Sequence, residues 1–356
     1  MSNKLSRRRF LQISAAGLSA ISASGLALAQ SAAQVAAKSG ASDEHSVTAP
    51  VAIAVKARPI ASFDPRDRAH LRFGALEYRS GLVLTSSFPG FGGLSGIRLD
   101  ANGERFIALS DKGSWFTGRI LYSGRAMVGL DDVEAAPMLG ADGRPLAMRG
   151  WYDSESIARD GSFVYVGLEG VNQVVRFDFA SGFTRARGEV VAMPPAVKRL
   201  PRNKGLEALV FVPKGLPLAG TLIAMSERGL DDDGNLMAFL VGGPSPGQFS
   251  IRRSENFDIS DAVLLPSGDL LILERKFSLL VGVGIRIRRI QLATITPGAL
   301  VDGPAIFNAD LGEEIDNMEG IDAHVTAEGE TVLTMVSDDN FSLIQRTLLL
   351  QFTLVA

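Results

Sequence analysis

Acids and hydroxyls open five apolar runs, at Ser95, Glu155, Glu207, Asp261 and Glu319, and acids close the run that follows each, at Asp111, Glu169, Glu227, Glu274 and Asp338. So dense a set of carboxylates suits a hard cation such as calcium, which takes six to eight oxygen ligands. Like charges brought together also raise one another's pKa, so the set needs compensation. Lys112, Lys204, Arg228, Arg275, Lys276 and Arg346 accompany the acids and can supply it. Two readings follow. In one, Glu155, Glu207, Asp261 and Glu319 are inner calcium ligands and Asp111, Glu169, Glu227, Glu274 and Asp338 form a second set. Lys112, Lys204, Arg228 and Arg275 then bind a phosphate or carboxylate group while a metal-activated water attacks. In the other, acids and bases close into a salt-bridge network that pins the fold and binds nothing.

The elements that must position these residues are hairpins. Between each opening and closing lies a turn, such as Asp100-Ala101-Asn102-Gly103 or Pro266-Ser267-Gly268. In an antiparallel hairpin the start of the first strand and the end of the second lie side by side, so both polar positions fall at one end of each unit. The openings recur at intervals of 52 to 60 residues, and a four-stranded blade with loops needs about 40 to 50 or more. An all-β fold is expected, a β-propeller whose acids crowd one end of a central channel. Six blades are preferred: five hairpins, plus a shared blade built from Leu71–Thr85 and Thr347–Leu354. Five or seven blades also fit, and a β-sandwich is the structural alternative.

Other motifs narrow the chemistry. The histidines are His45, His70 and His324, too few and too scattered for a Ser-His-Asp triad. There is no Gly-x-Ser-x-Gly elbow and no phosphate-cradling Gly-rich loop. The richest polar segment is Val336-Ser337-Asp338-Asp339-Asn340-Phe341-Ser342. Asp231-Asp232-Asp233-Gly234-Asn235 lacks the ligand spacing of a calcium loop and reads as a solvated turn. Trp115, Trp151, Phe91, Phe116 and Tyr152 either line a mouth or pack between blades.

Residues 1–29 read as a twin-arginine export signal, from Ser6-Arg7-Arg8-Arg9-Phe10-Leu11-Gln12 through a short apolar stretch to Ala27-Leu28-Ala29, with cleavage expected after Ala29. The stretch is too short and too serine-rich for a stable membrane anchor. Export machinery is therefore an expected partner, and the periplasm or the exterior the expected location. Residues 30–59 read as a tether, with a strand possible from Val47 to Lys56, and residues 60–356 as one domain. The chain has no cysteine, which excludes disulfides, thiolate catalysis and cysteine zinc sites. Its formal charge is −3, and losing Lys4, Arg7, Arg8 and Arg9 takes Lys plus Arg from 36 to 32 against 39 acids, about −7. Such a surface does not suit nucleic acid. A monomer acting on a small anionic substrate is expected.

The motifs Gly92-Gly93-Leu94-Ser95-Gly96-Ile97, Leu109-Ser110-Asp111-Lys112-Gly113, Asn203-Lys204-Gly205-Leu206-Glu207-Ala208-Leu209, Leu271-Ile272-Leu273-Glu274-Arg275, Asn317-Met318-Glu319-Gly320-Ile321 and Ser337-Asp338-Asp339-Asn340-Phe341-Ser342, in that order, resemble the phytase-like family described as having esterase-like activity. The resemblance spans roughly Leu71 to Val355. It implies a propeller and hydrolysis of phosphoesters or esters, through distant similarity to calcium-dependent propeller phytases. A noncatalytic periplasmic binding or scaffold propeller and a lactonase-like metal enzyme are the alternatives.

Overall fold

The computed structural model describes residues 45–278 and 282–355. The expected export signal and residues 30–44 of the expected tether lie outside the described residues. Within the described chain the strands form five antiparallel-based sheets. Blade 1 runs outward from Leu94–Leu99 through Arg105–Ser110 and Ser114–Ser123 to Ala126–Pro137. Blade 2 holds Ser154–Asp160, Phe163–Leu168, Gln173–Asp178 and Arg187–Val190. Blade 3 holds Leu206–Phe211, Thr221–Leu230, Leu236–Gly242 and Gly247–Ile251. Blade 4 holds Asp258–Leu264, Asp269–Ser278, Gly282–Gln291 and Ala305–Asp310. Blade 5 holds Asn317–Val325, Thr331–Asp338, Thr347–Leu354, Leu76–Ser86 and Val55–Ile60. The five inner strands touch in the cyclic order of the blades, and blade 5 meets blade 1, so the ring is closed.

Five blades replace the preferred six. Leu76–Ser86 and Thr347–Leu354 do pair, with Leu349 opposite Leu82, but Leu349 also pairs with Val336 of the fifth hairpin. Those two strands finish that hairpin's sheet and do not add another. The N-terminal strand expected near Val47–Lys56 is divided: Val51–Ala52 pairs with the outer strand of blade 1, and Val55–Ile60 with blade 5. This segment bridges the two blades at which the ring closes.

Inner strands are buried along most of their length, completely so in Leu94–Leu99 and all but Phe211 in Leu206–Phe211, because neighbouring blades cover both faces. That is why they read as apolar runs and not as a strict alternation. Among the described residues the hydrophobic side chains gather into five cores, one between each pair of neighbouring blades. Trp115 and Phe116 belong to these cores. Trp115 meets Phe177 edge-on at 5.1 Å, and Phe116 meets Phe91 at 5.5 Å, so these aromatics pack between blades, with Trp151 and Tyr152 half-buried beside them. The Asp231 loop is a capped turn, its carboxylate accepting from the backbone nitrogens of Asp233 and Asn235.

Candidate functional site

All five inner strands carry a β-bulge at the same place. Their pairing with the second strand slips between Leu94 and Gly96, Ser154 and Ser156, Leu206 and Ala208, Ile259 and Asp261, and Met318 and Gly320. The extra residues are therefore Ser95, Glu155, Glu207, Ser260 and Glu319. A bulge interrupts the ladder and re-aims a side chain, here at one end of the channel. Opposite the residue before each bulge stand Ser110, Leu168, Ser226, Glu274 and Ser337. The residue after each of these closes the hairpin: Asp111, Glu169, Glu227, Arg275 and Asp338.

Blade 4 thus departs from the sequence repeat by one residue in both strands. Ser260 takes the opening position assigned to Asp261, and Arg275 takes the closing position assigned to Glu274. A one-residue step sends a side chain to the other face of a strand, so neither acid joins the ring. Asp261 is fully buried at the axis, where Arg98 of blade 1 reaches it at 2.9 and 3.1 Å. Arg98 also donates to the carbonyls of Ile97, Leu209, Ala262 and Ile321, tying four blades together. Burial pushes the Asp261 carboxyl up, against the pull of Arg98. Asp322 beside it accepts from the Leu99 nitrogen at 2.6 Å and is pushed up by burial to about 6. Glu274 is equally enclosed but lies within its own sheet, held by Arg286 at 2.7 Å and by Arg288 at 2.9 Å.

The other expected acids do converge. Oxygens of Glu169, Glu207 and Glu227 lie within 4.8 Å of one another, all three residues buried. A second group of the same tightness joins Asp153, Glu155 and Glu169. Burial, then Glu169, Glu155, Glu227 and Glu319 in turn, push the Glu207 carboxyl well above the usual carboxylate range. On the other side of the ring burial does the same to Asp338, with Asp111 and Glu319 adding to it. Arg275 stands between the two sides, 2.6 Å from Glu319 and 3.7 Å from Glu227. Burial works against its charge, but Glu319, Glu227 and Glu207 more than restore it.

The remaining bases nominated for substrate are engaged by carboxylates. Lys112 lies 3.1 Å from Asp111, Lys204 3.3 Å from Glu227, and Arg228 pairs with Asp258. In the Ser337–Phe341 segment, Asp339 is structural: it accepts from the nitrogens of Gly93 and Phe341 and from Thr347 Oγ1. Gly93 sits at φ +60, and any Cβ there would meet Asp111 and Phe341. Carboxylates with no histidine or thiolate form a donor set for a hard cation, and burial with mutual repulsion leaves them short of positive charge. The residues fit a hard divalent cation on both counts, the class to which calcium belongs.

Asp153, Arg98 and Asp322 were not singled out from sequence. Asp153 directly precedes the opening Ser154-Glu155. Arg98 is a charged residue inside an otherwise apolar strand, a signal that a buried polar partner must exist.

A family described as Phytase-like: Esterase-like activity of phytase matches residues 89–341. No curated protein matches the chain. Among solved structures, the Myxococcus xanthus glutaminyl cyclase is 12% identical, with 74% of this chain and 92% of that one covered, at a TM-score of 0.39. The β-propeller domain of Cps50 (Swd1) from Myceliophteria thermophila is 11% identical, with 69% and 67% covered, at a TM-score of 0.33. Neither likeness bears on the chemistry of the ring.

Proposed function

The chain belongs to the phytase-like family, and from that premise we propose that it is an exported hydrolase of phosphate esters whose ring of carboxylates holds calcium. The observation that carries this reading is the buried Glu169–Glu207–Glu227 group, whose oxygens lie within 4.8 Å. Asp153 and Glu155 extend it. Bound there, calcium would polarise a phosphoryl oxygen and lower the pKa of a water. Arg275 faces the same space and can hold a phosphate oxygen, since a guanidinium matches phosphate geometry. Asp338, whose carboxyl is pushed up by burial and by Asp111 and Glu319, is suited to donate to the leaving alcohol. In the balanced reaction a water oxygen bonds to phosphorus, the bond from phosphorus to the alcohol oxygen breaks, and the alcohol leaves with a proton.

Export rests on the arginine motif near residue 8. Among the described residues no helix is long and apolar enough to cross a membrane, and a monomer working in the periplasm or outside the cell is part of the proposal. A purely structural ring is the second reading, favoured by the carboxylate partners of Lys112, Lys204 and Arg228.

One experiment separates the two. The protein is stripped with a chelator, then titrated with calcium by calorimetry and assayed on a broad phosphoester panel. Stoichiometric binding, a raised melting temperature and calcium-dependent phosphate release are expected. No binding and no turnover would leave the structural ring.

A further inference from the structure

The outer edge of blade 5 carries two arginines that no acid answers. Arg58 lies on the edge strand Val55–Ile60, opposite Val83, and Arg68 lies on the loop that follows that strand. Both line a cavity of about 220 Å³, together with Ile60, Val83 and Glu314. Glu314 stands three residues before Asn317, whose side-chain nitrogen donates to Glu319 of the ring at 2.8 Å. The cavity therefore belongs to the rim of the carboxylate end and lies outside the ring.

Four carboxylates accompany these arginines, and each is committed elsewhere. Asp64 accepts from the backbone nitrogen of Arg66 at 2.9 Å and pairs with its guanidinium at 3.1 Å. Asp67 accepts from the Ala69 nitrogen at 3.0 Å. Glu313 takes Arg66 with one oxygen and the Asp310 nitrogen with the other, both at 2.9 Å. Glu314 is held by Arg346 at 2.6 Å. Among the described residues neither Arg58 nor Arg68 pairs with a carboxylate. The loop is also set in advance. Ser62 Oγ donates to the Asp64 carbonyl at 2.7 Å and the Glu314 nitrogen to the Phe63 carbonyl at 2.8 Å, while the Phe63 ring is wholly buried against Phe73 and Phe352. The backbone that carries Arg68 thus needs little ordering when a ligand arrives.

In a chain of formal charge −3, two unmatched guanidiniums on one cavity are a local excess of positive charge. The planar guanidinium fork matches the oxygens of phosphate and carboxylate. The cavity is smaller than the roughly 300 Å³ at which sites for whole drug-sized molecules begin, so it suits an anionic group and not a large body. We infer that Arg58 and Arg68 form an oxyanion site, separate from the carboxylate ring, for a phosphate or carboxylate group. Unlike the ring, this site needs no metal to attract an anion, and it does not depend on the hydrolase reading.

The test uses the full protein treated with a chelator, so that no cation in the ring can hold the anion. Calorimetric titrations with inorganic phosphate and with acetate are run at low ionic strength, where screening is weak. Saturable one-to-one binding of one or both is expected. Phosphate alone, acetate alone or both would assign the site to phosphate, to carboxylate or to their shared chemistry. The double variant R58Q/R68Q should weaken binding at least tenfold, because hydrogen bonds between charged groups are lost. Its melting temperature without ligand should match that of the wild type, both side chains being exposed. R58K/R68K, which keeps the charge and loses the fork, should fall between the two. Lys204→Gln, in the ring, should bind as the wild type does. No saturable binding of either anion, binding that survives in R58Q/R68Q, or binding lost in Lys204→Gln would overturn the inference. Phosphoester turnover by the calcium-loaded protein, present or absent, bears on the ring alone.

Discussion

Arg98→Met tests the axial arrangement most directly. Wild-type Arg98 is 6% exposed, and its guanidinium grips both Asp261 oxygens and carbonyls of blades 3, 4 and 5 besides its own. Methionine fills comparable volume but leaves Asp261 a buried carboxylate whose remaining charge-stabilising contacts are the backbone nitrogens of Ile321, at 2.9 Å, and Ala262. Removing one partner of a buried ion pair costs about 3–5 kcal/mol. Urea unfolding followed by tryptophan fluorescence is a suitable assay, because Trp115 is wholly buried between blades 1 and 2.

The deficit should also depend on pH. Without Arg98 the folded-state pKa of Asp261 rises further above its unfolded value. A group raised in this way stabilises the fold below its unfolded pKa and loses that contribution as pH rises through the folded one. The deficit should therefore be larger at pH 8 than at pH 4.5. The double variant R98M/D261N keeps an acceptor for Ile321 and removes the charge. It should recover part of the loss, the remainder being about 1–3 kcal/mol from unpaired carbonyls. A single-variant loss below about 1 kcal/mol, or a double variant as unstable as the single, would refute the axial ion pair.

The one-residue offset of blade 4 predicts opposite behaviour for two glutamates. Glu169→Gln should weaken calcium binding tenfold or more by calorimetry while sparing stability, whereas Glu274→Gln should leave calcium binding intact and cost about 3–5 kcal/mol in urea. In chelator-treated protein the raised Glu207 and Asp338 carboxyls make stability fall as pH rises through their folded-state values, and saturating calcium should lessen that fall in thermal scans from pH 5 to 8. Asp322, raised from 3.8 to about 6, should cost stability between those pH values, at most about 3 kcal/mol by linkage. Asp322→Asn should flatten that part of the unfolding profile, and an unchanged slope would count against it.

The propeller is legible because apolar runs, turns and acids recur together at blade-length intervals. The number of blades is harder to read, since Leu76–Ser86 and Thr347–Leu354 look like surplus strands until their pairing with Thr331–Asp338 is known. Within the site, Glu155, Glu169, Glu207 and Glu227 are legible as members of a nine-acid ring, but not as the close groups in which they stand. Asp261 and Glu274 were misplaced for a definite reason. Ser260-Asp261 and Glu274-Arg275 each offer two adjacent polar residues, and only the register across the bulge decides which faces the mouth. Side-chain period in a strand is two, so a single extra residue exchanges the answers. Arg98 could be flagged as anomalous, but its four-blade contacts depend on strands up to 223 residues apart.

The joining of Leu76–Ser86 to Thr347–Leu354 also constrains how the protein is made. During translation, blades 1 to 4 can form an arc, but the strand that seals it is among the last to leave the ribosome. Until then the faces of blade 1 and blade 5 that bury Leu82, Ile97, Val336 and Leu349 have no complete partner. Closure is thus a late, long-range event of the kind that slows folding. A chain cut short before Thr347 would keep all five inner strands but leave blade 5 without its third strand, exposing an edge at Val336 and Leu82 that chaperones and proteases recognise.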